Sequence, residues 1–558
     1  MRPIICLIFI AVICPVFTSA QTSSLAVTGT IGLYADFYKM NSDSAIAPRR
    51  PSELYRLVCS PTITYGDFSL PVVINISSQS SSIVTPVSRY RNFGQFLQNP
   101  INQVGIAPKY KWLQLLLGTQ IPHYSELTFG DQPVFGAGLR LTPGKFRFEF
   151  FGGISQQPIE EDTTHHILGA YKRTLYSGKI GYGKEDSSHI YLLSGYAIDD
   201  VNSLKVVPQN TLPANGLMLS LDYKILLPMK FYIKGEVAGS LFSRDVRSRK
   251  VTDAAVPVPD DIFISRESTR SDGAAMLTLG KDGREFGIKA TGKYIGDGFV
   301  PLGYPFMQTD RLEVTIDPHF SLFKHKLNIT GGGGERINNL SHTHGSTATQ
   351  AIGYANISAQ VTNDLNLSGN FSNFGFRNAV TNDSFRIQMV TMSYSFNPSY
   401  TLSLGNTINV FSFSYGHDKF TDYNVVSGSL NNNNSNSGMF IYNLGFTGNP
   451  FTTTLVVSSF SNKLQTGTVT INSAGVTFGY GFLKNKLNLT AGETVSNALL
   501  DNKDPATQLL TTFGARYKIR KDLSLSLNAS VNDYKGGKTN PNYNFTEDLL
   551  RTSLIYKL

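Results

Sequence analysis

The stretch from Thr468 to Val495, TVTINSAGVTFGYGFLKNKLNLTAGETV, restricts what this chain can become more than any other. Ala474, Val476, Phe478, Tyr480 and Phe482 are small, apolar or aromatic, while Gly475, Thr477, Gly479 and Gly481 between them are polar or lack a side chain. That period of two is the mark of a strand. Leu483, Lys484 and Asn485 reverse the chain. Beyond them Leu487, Leu489 and Ala491 face one way and Asn488, Thr490 and Gly492 the other, so the stretch reads as an antiparallel hairpin with one apolar face. A soluble sandwich would alternate in the same way. What separates the two readings is that the pattern recurs along the chain to its last residue.

There, Leu550, Thr552, Leu554, Tyr556 and Leu558 alternate with Arg551, Ser553, Ile555 and Lys557. Composition agrees with a wall that meets lipid. Charged residues make up 16% of the chain, against about 25% in ordinary soluble domains, and they accompany 50 Gly, 36 Phe and 27 Tyr. Such a surface suits an outer face in lipid and an inner face in water. The formal charge of +9 is spread along 558 residues, which argues against a nucleic-acid partner, since that needs a clustered basic face.

Residues 1–20 read as a signal peptide. Arg2 precedes an apolar run from Ile4 to Phe17, and Thr18, Ser19 and Ala20 offer small residues before Gln21, so cleavage is expected after Ala20. No later stretch reaches the roughly 18 apolar residues that a membrane helix needs. Ile5 before Cys6 and Ile13 before Cys14 do not suit lipidation. The remaining cysteine, Cys59, cannot form an intrachain disulfide alone, which excludes a disulfide-stapled secreted fold.

Along the chain, tight reversals alternate with longer polar connections. Reversals are expected at Tyr65 to Asp67, near Lys109, and at Thr142 to Lys145, Lys184 to Ser188, Leu226 to Met229, Lys281 to Arg284 and Leu322 to His325. More follow at Thr362 to Asp364, Asn397 to Ser399, Asn449 to Phe451, Leu483 to Asn485 and Ile519 to Lys521. The longer connections include Asp245 to Asp272, Arg336 to Thr349, the Asn-rich Gly416 to Gly438, Ser496 to Thr507 and Lys535 to Phe545. Short turns on one side and long loops on the other are the pattern of a transmembrane barrel, with turns in the periplasm and loops outside. Twelve reversals with two strands each, plus a first and a last strand, give about 26 strands, with 22–28 acceptable. The expected fold is therefore all-β, a single large antiparallel transmembrane β-barrel spanning 21–558. At Phe146 to Ile154, Phe146, Phe148 and Phe150 should face out while Arg147 and Glu149 face in, implying a wet interior.

Two hairpins resemble each other: Leu322 to Gly332, LFKHKLNITGG, and Phe482 to Gly492, FLKNKLNLTAG. Shared turn chemistry explains this as well as duplication does.

Little here points to catalysis. His165 with His166, and His342 with His344, lack the further ligands that a metal site requires, and read as solvated loop residues. Gly331 to Gly334 opens no helix, so it is not a phosphate loop. Asn431 to Ser437 reads as a polar loop tip. His319 and His325 flank a turn, and no nucleophile-elbow sequence is present, so neither an enzyme nor a cofactor is expected. The segment Tyr294 to Arg311, YIGDGFVPLGYPFMQTDR, is more particular. Its glycines and prolines set an irregular path, and Gly298, Phe299, Pro301, Tyr304 and Phe306 are the candidate residues. It reads as an ordered loop on the rim or as one folded inward to narrow the lumen. The region Asn99 to Asp131 reads as strand ends and interface girdle.

The final strand, with Leu554, Tyr556 and Leu558, resembles the C-terminal recognition strand of bacterial outer-membrane barrels, Leu558 standing where Phe or Trp is usual. The phrases TSAQ, RRPSELYRL, NQVGIAPKYKW, LTPGKFRFEFFGG and GDGFVPLGYPF together resemble large outer-membrane β-barrel proteins of Bacteroidota. The resemblance implies an outer-membrane address, contact with membrane lipid and lipopolysaccharide, and insertion by the outer-membrane machinery. No plug domain or TonB-box is evident in the sequence, so a TonB-dependent transporter is not expected. Two functions remain open: a porin-like channel for solute or polymer, and a structural or secretion-machine barrel whose lumen or loops bind a partner protein.

Overall fold

The computed structural model describes residues 25–43, 46–78, 102–130, 132–163, 167–251, 258–303, 307–343, 345–378, 386–424, 426–501, 503–538 and 542–558. The proposed signal segment lies outside them, as do His165, His166, Tyr304, Phe306 and His344.

All named strands join one antiparallel sheet of 29 segments. Three staves each carry two consecutive segments, namely Leu25–Thr28 with Thr30–Ser42, Glu53–Cys59 with Thr62–Tyr65, and Gln103–Ile106 with Lys109–Tyr110. The wall thus has 26 staves, the number expected from the turns. Each stave pairs with its sequence neighbour, and the sheet closes where Thr30–Ser42 pairs with Phe545–Lys557, Thr30 opposite Lys557 and Ser42 opposite Phe545. Closure leaves no unpaired strand edge in the wall.

The hairpin from Gly467 to Leu500 shows why these residues make such a wall. Phe478 faces Ala491 and Tyr480 faces Leu489 across the ladder. Phe478, Tyr480 and Phe482 stand exposed on one face, continuous with Val457, Phe513 and Tyr517 on neighbouring staves. The same holds at Phe146, Phe148 and Phe150, exposed beside Ile180 and Tyr182, while Glu149 on the opposite face is buried. One face of the wall therefore carries an uncovered apolar row and the other a polar lining.

Tight reversals gather on one rim. In the two similar hairpins three successive residues adopt left-handed backbone, Phe323 to His325 (φ 52, 58 and 69°) and Leu483 to Asn485 (φ 50, 55 and 62°). Each turn is closed by the same bond, Lys326 N–H to the Phe323 carbonyl and Lys486 N–H to the Leu483 carbonyl.

Three sequence expectations need correction. Asn397 to Ser399 is no turn: Gln388–Leu404 is one strand, and the chain reverses at Gly405 and Asn406, with Gly405 at φ +56°. Asn397 and Pro398 keep their partners Ser368 and Leu367 on one side but drop out of the ladder toward Thr407–Asp422. Proline has no N–H to donate, so it interrupts the ladder on one side without ending the strand. The Asn-rich region is mostly strand as well. Thr407–Asp422 and Asn433–Phe446 pair from Phe420 opposite Asn433 downward, leaving a connection at 423–432 that holds the one-turn helix Gly428–Asn431. Likewise Leu487–Leu500 and Lys503–Lys518 are joined over two residues, where a long loop was expected.

Candidate functional site: the lined interior

On the polar face, the staves from Phe146–Gln156 to Phe286–Ile295 are covered by two connections that the chain itself supplies. The first, 121–133, joins Leu113–Gln120 to Val134–Leu141. The second, 296–310, joins Phe286–Ile295 to Arg311–Leu322. Seven stave steps separate them, an arc of about 35 Å at the usual strand spacing, yet they touch: Gly303 sits against the Phe129 ring with no room for a Cβ. They meet across the concave side of the wall.

The first segment is held by a hydroxyl and carboxylate network. Tyr124 N–H donates to the Phe129 carbonyl (3.0 Å), closing the loop. Thr128 N–H donates to Ser125 Oγ (3.2 Å). Glu236, 1% exposed, accepts from Ser125 Oγ (2.6 Å), Ser220 Oγ (2.8 Å) and Leu127 N–H (3.3 Å). A buried carboxylate is tolerated when its lone pairs are filled in this way. The Tyr124 hydroxyl lies 3.2 Å from Ser177 Oγ. Burial, followed by the nearby Glu149 charge, pushes its phenol well above the ordinary tyrosine value. Lys293 Nζ reaches Glu126 at 3.6 Å.

The second segment is pinned by Asp272, whose oxygens accept Gly298 N–H and Gly273 N–H, each at 2.7 Å. Val300 N–H donates to Ser240 Oγ (3.2 Å). Phe299 is fully buried with Leu127, Met218, Ala238, Ala274, Met276 and Ile295. Leu302 joins Phe129, Phe151, Leu175 and Leu193 in a second apolar cluster. Pro301 is buried between these anchors.

The other sequence candidates are dispersed. Glu149 holds Arg140 on the neighbouring strand (Nη2 to Oε1, 3.0 Å). Arg147 bends to the turn, where its Nη1 donates to the Gly144 and Phe146 carbonyls. Leu554 pairs with Leu33 and Leu525, and Tyr556 lies under the Arg520 guanidinium at 5.7 Å. Leu558 N–H donates to the Gly29 carbonyl (3.0 Å). Among the described residues, no group of three or more His, Cys, Asp or Glu is placed to hold a metal ion.

Sequence reading missed the segment 121–133. A signal was present, in that Tyr124, Leu127 and Phe129 are large apolar residues inside a connection, spaced among the hydroxyls of Ser125 and Thr128.

Beyond these staves, the described residues leave part of the polar face uncovered. Asn366, Ser368, Asn397, Ser399, Ser412 and Ser414 line a recess of about 580 Å³.

No protein-family model and no curated protein matches the sequence. Similar solved structures include OpdK of Pseudomonas aeruginosa with vanillate, 12% identical over 67% of this chain and 99% of that one, with a TM-score of 0.32. OccAB4 of Acinetobacter baumannii is 13% identical over 70% of this chain and 99% of its own, TM-score 0.31. The translocation pore of the P pilus usher PapC is 9% identical over 95% of this chain and all of its own, TM-score 0.41. At such scores, what this chain does has to be read from its own geometry.

Proposed function

We propose that this chain is an integral outer-membrane β-barrel that conducts small solutes through a lumen narrowed by its own inward-folded segments. The uncovered apolar row faces lipid, and the Ser- and Asn-rich face lines water. The observation that carries the reading is the anchoring of 121–133 and 296–310 on the polar face by Glu236 and Asp272. Smaller barrels of 16–18 strands already hold an aqueous channel, so a wall of 26 staves left empty would be an unselective hole. Two covalently tethered segments, one fixed at the buried Glu236 and the other at the half-buried Asp272, reduce that opening without a second protein. Solutes then pass beside the open wall near Asn397 and Ser414.

Planar-bilayer recording of the purified protein, with copurifying proteins identified from the same preparation, tests this. Steady conductance without a companion is the expected result. Electrical silence with a stoichiometric companion would transfer the function to a partner-filled assembly and overturn the channel.

A further inference from the structure

Where the second inward segment rejoins the wall, its last residues and the inner face of the next strands enclose a cavity of about 450 Å³. Two arginines line it, Arg311 at the start of one strand and Arg336 on the next. Their electrostatic situations differ. Arg336 is fully engaged: its Nη2 and Nε reach Glu313 Oε2 at 2.7 and 2.8 Å, and Nη1 points to Gln350 Oε1 at 3.4 Å.

Among the described residues Arg311 has no such partner. Its Nη1 makes a long contact with Gln308 Oε1 (3.4 Å), and its Nε is shut off from solvent without a hydrogen-bond acceptor. The two nearby carboxylates are committed elsewhere. Glu313 serves Arg336, and Asp310 accepts Ser341 N–H (3.0 Å) and Ser341 Oγ (2.8 Å). A half-buried guanidinium near a second guanidinium, with its Nε shut off from solvent and without an acceptor, is favoured by something negative in the space. The planar fork of arginine matches two oxygens of a carboxylate or phosphate.

We propose that this cavity binds the oxyanion of a small solute, a carboxylate or phosphate group held by Arg311 at the loop-side mouth of the lumen. This rests on the channel reading for the route by which the solute arrives, and not for the binding itself. The site gives the lumen a selective entrance: an anionic solute is caught at the mouth before it meets the neutral Ser and Asn wall.

Calorimetric titration of detergent-solubilised protein at low salt tests it, with benzoate and inorganic phosphate as separate probes. Saturable binding of either, at one site per chain, is expected. Arg311→Gln should weaken it at least tenfold, and Arg311→Lys, which keeps charge and bulk but loses the fork, by several-fold. Lys224→Gln, elsewhere on the inner face, should leave it unchanged. Heat-modifiable migration on gels verifies that each variant is folded. Binding of benzoate alone assigns a carboxylate site, and of phosphate alone a phosphate site. Absence of saturable heat with both probes, or parental affinity in Arg311→Gln, overturns the proposal. Bilayer recordings on the same preparations separate the two ideas: conductance without binding removes the site alone, and binding without conductance removes the channel alone.

Discussion

The Ser125 hydroxyl donates to the Glu236 carboxylate at 2.6 Å, joining residues 111 positions apart in the chain. The contact ties an inward connection to the wall at a carboxylate that water does not reach. Ser125→Ala removes one of three donors to a buried charge, at a cost of about 1–3 kcal/mol. The expected outcome is a lower urea midpoint and a noisier single-channel current, as 121–133 detaches more often. An unchanged current trace would mean that the segment does not border the conduction path.

Deleting Gly298 to Gln308 removes the Phe299 and Leu302 anchors together with the Asp272 tether. Single-channel conductance should rise, since the wall closes independently of this connection. Conductance equal to that of the intact protein would place the segment away from the constriction.

At Gly303 a Cβ would stand 2.5 Å from the Phe129 ring. Gly303→Val therefore wedges the two inward segments apart, at a cost of about 1–3 kcal/mol. Conductance should rise toward that of the deletion, with the wall intact by heat-modifiable migration.

Tyr124 provides a test by pH. Its phenol is held above the ordinary value by burial first, whereas an unfolded tyrosine titrates near ~10. Above that pH the unfolded chain gives up a proton that the folded chain keeps. The stabilisation is thus complete below about pH 10 and is lost as pH rises through the folded value. Unfolding midpoints measured from about pH 9 to 12 should fall less steeply in Tyr124→Phe than in the parent.

Glu493 lies on the apolar face, exposed, opposite Val476 on one neighbouring strand and Thr511 on the other. A carboxylate facing lipid destabilises the wall, by less than the ~2–4 kcal/mol reported for a basic residue at mid-depth. Glu493→Leu should raise the urea midpoint in lipid vesicles. A lower midpoint would show that this face meets something other than hydrocarbon.

The wall was legible because its code is local. Alternation at Phe146, Phe148 and Phe150 or at Phe478, Tyr480 and Phe482 states which face carries the uncovered apolar row, and a few turn residues state where the chain reverses. The misreadings follow from the same local code. Asn397-Pro398-Ser399 carries strong turn chemistry, but the ladder to Leu365–Asn378 holds the chain extended through it. The Asn-rich residues 433–437 look like a loop because they are polar on both faces, yet they pair with Gly416 to Phe420. A strand that rises above the apolar layer no longer needs alternation.

The lined interior was far less legible. Asp272 and Glu236 occupy inner positions like any other polar residue there, and nothing in their own strands announces an anchor. They become anchors because 121–133 and 296–310, distant in sequence, arrive over them. Arg311 is conspicuous only once its neighbours' charges are assigned, and those assignments depend on the cross-strand register of Glu313 with Arg336.

The seam that closes the wall has a kinetic consequence. Tyr38 donates to Glu547 across it at 2.7 Å, and the two residues are 509 positions apart. Contacts so remote in sequence form slowly, since the entropy of bringing the ends together is lost before any bond is gained. During synthesis the strand Thr30–Ser42 is made some 500 residues before its partner Phe545–Lys557. Throughout that interval the growing sheet has two raw margins, each able to pair with a stranger. A chain halted before residue 545 would keep the edge of Thr30–Ser42 unpaired and would be a template for aggregation.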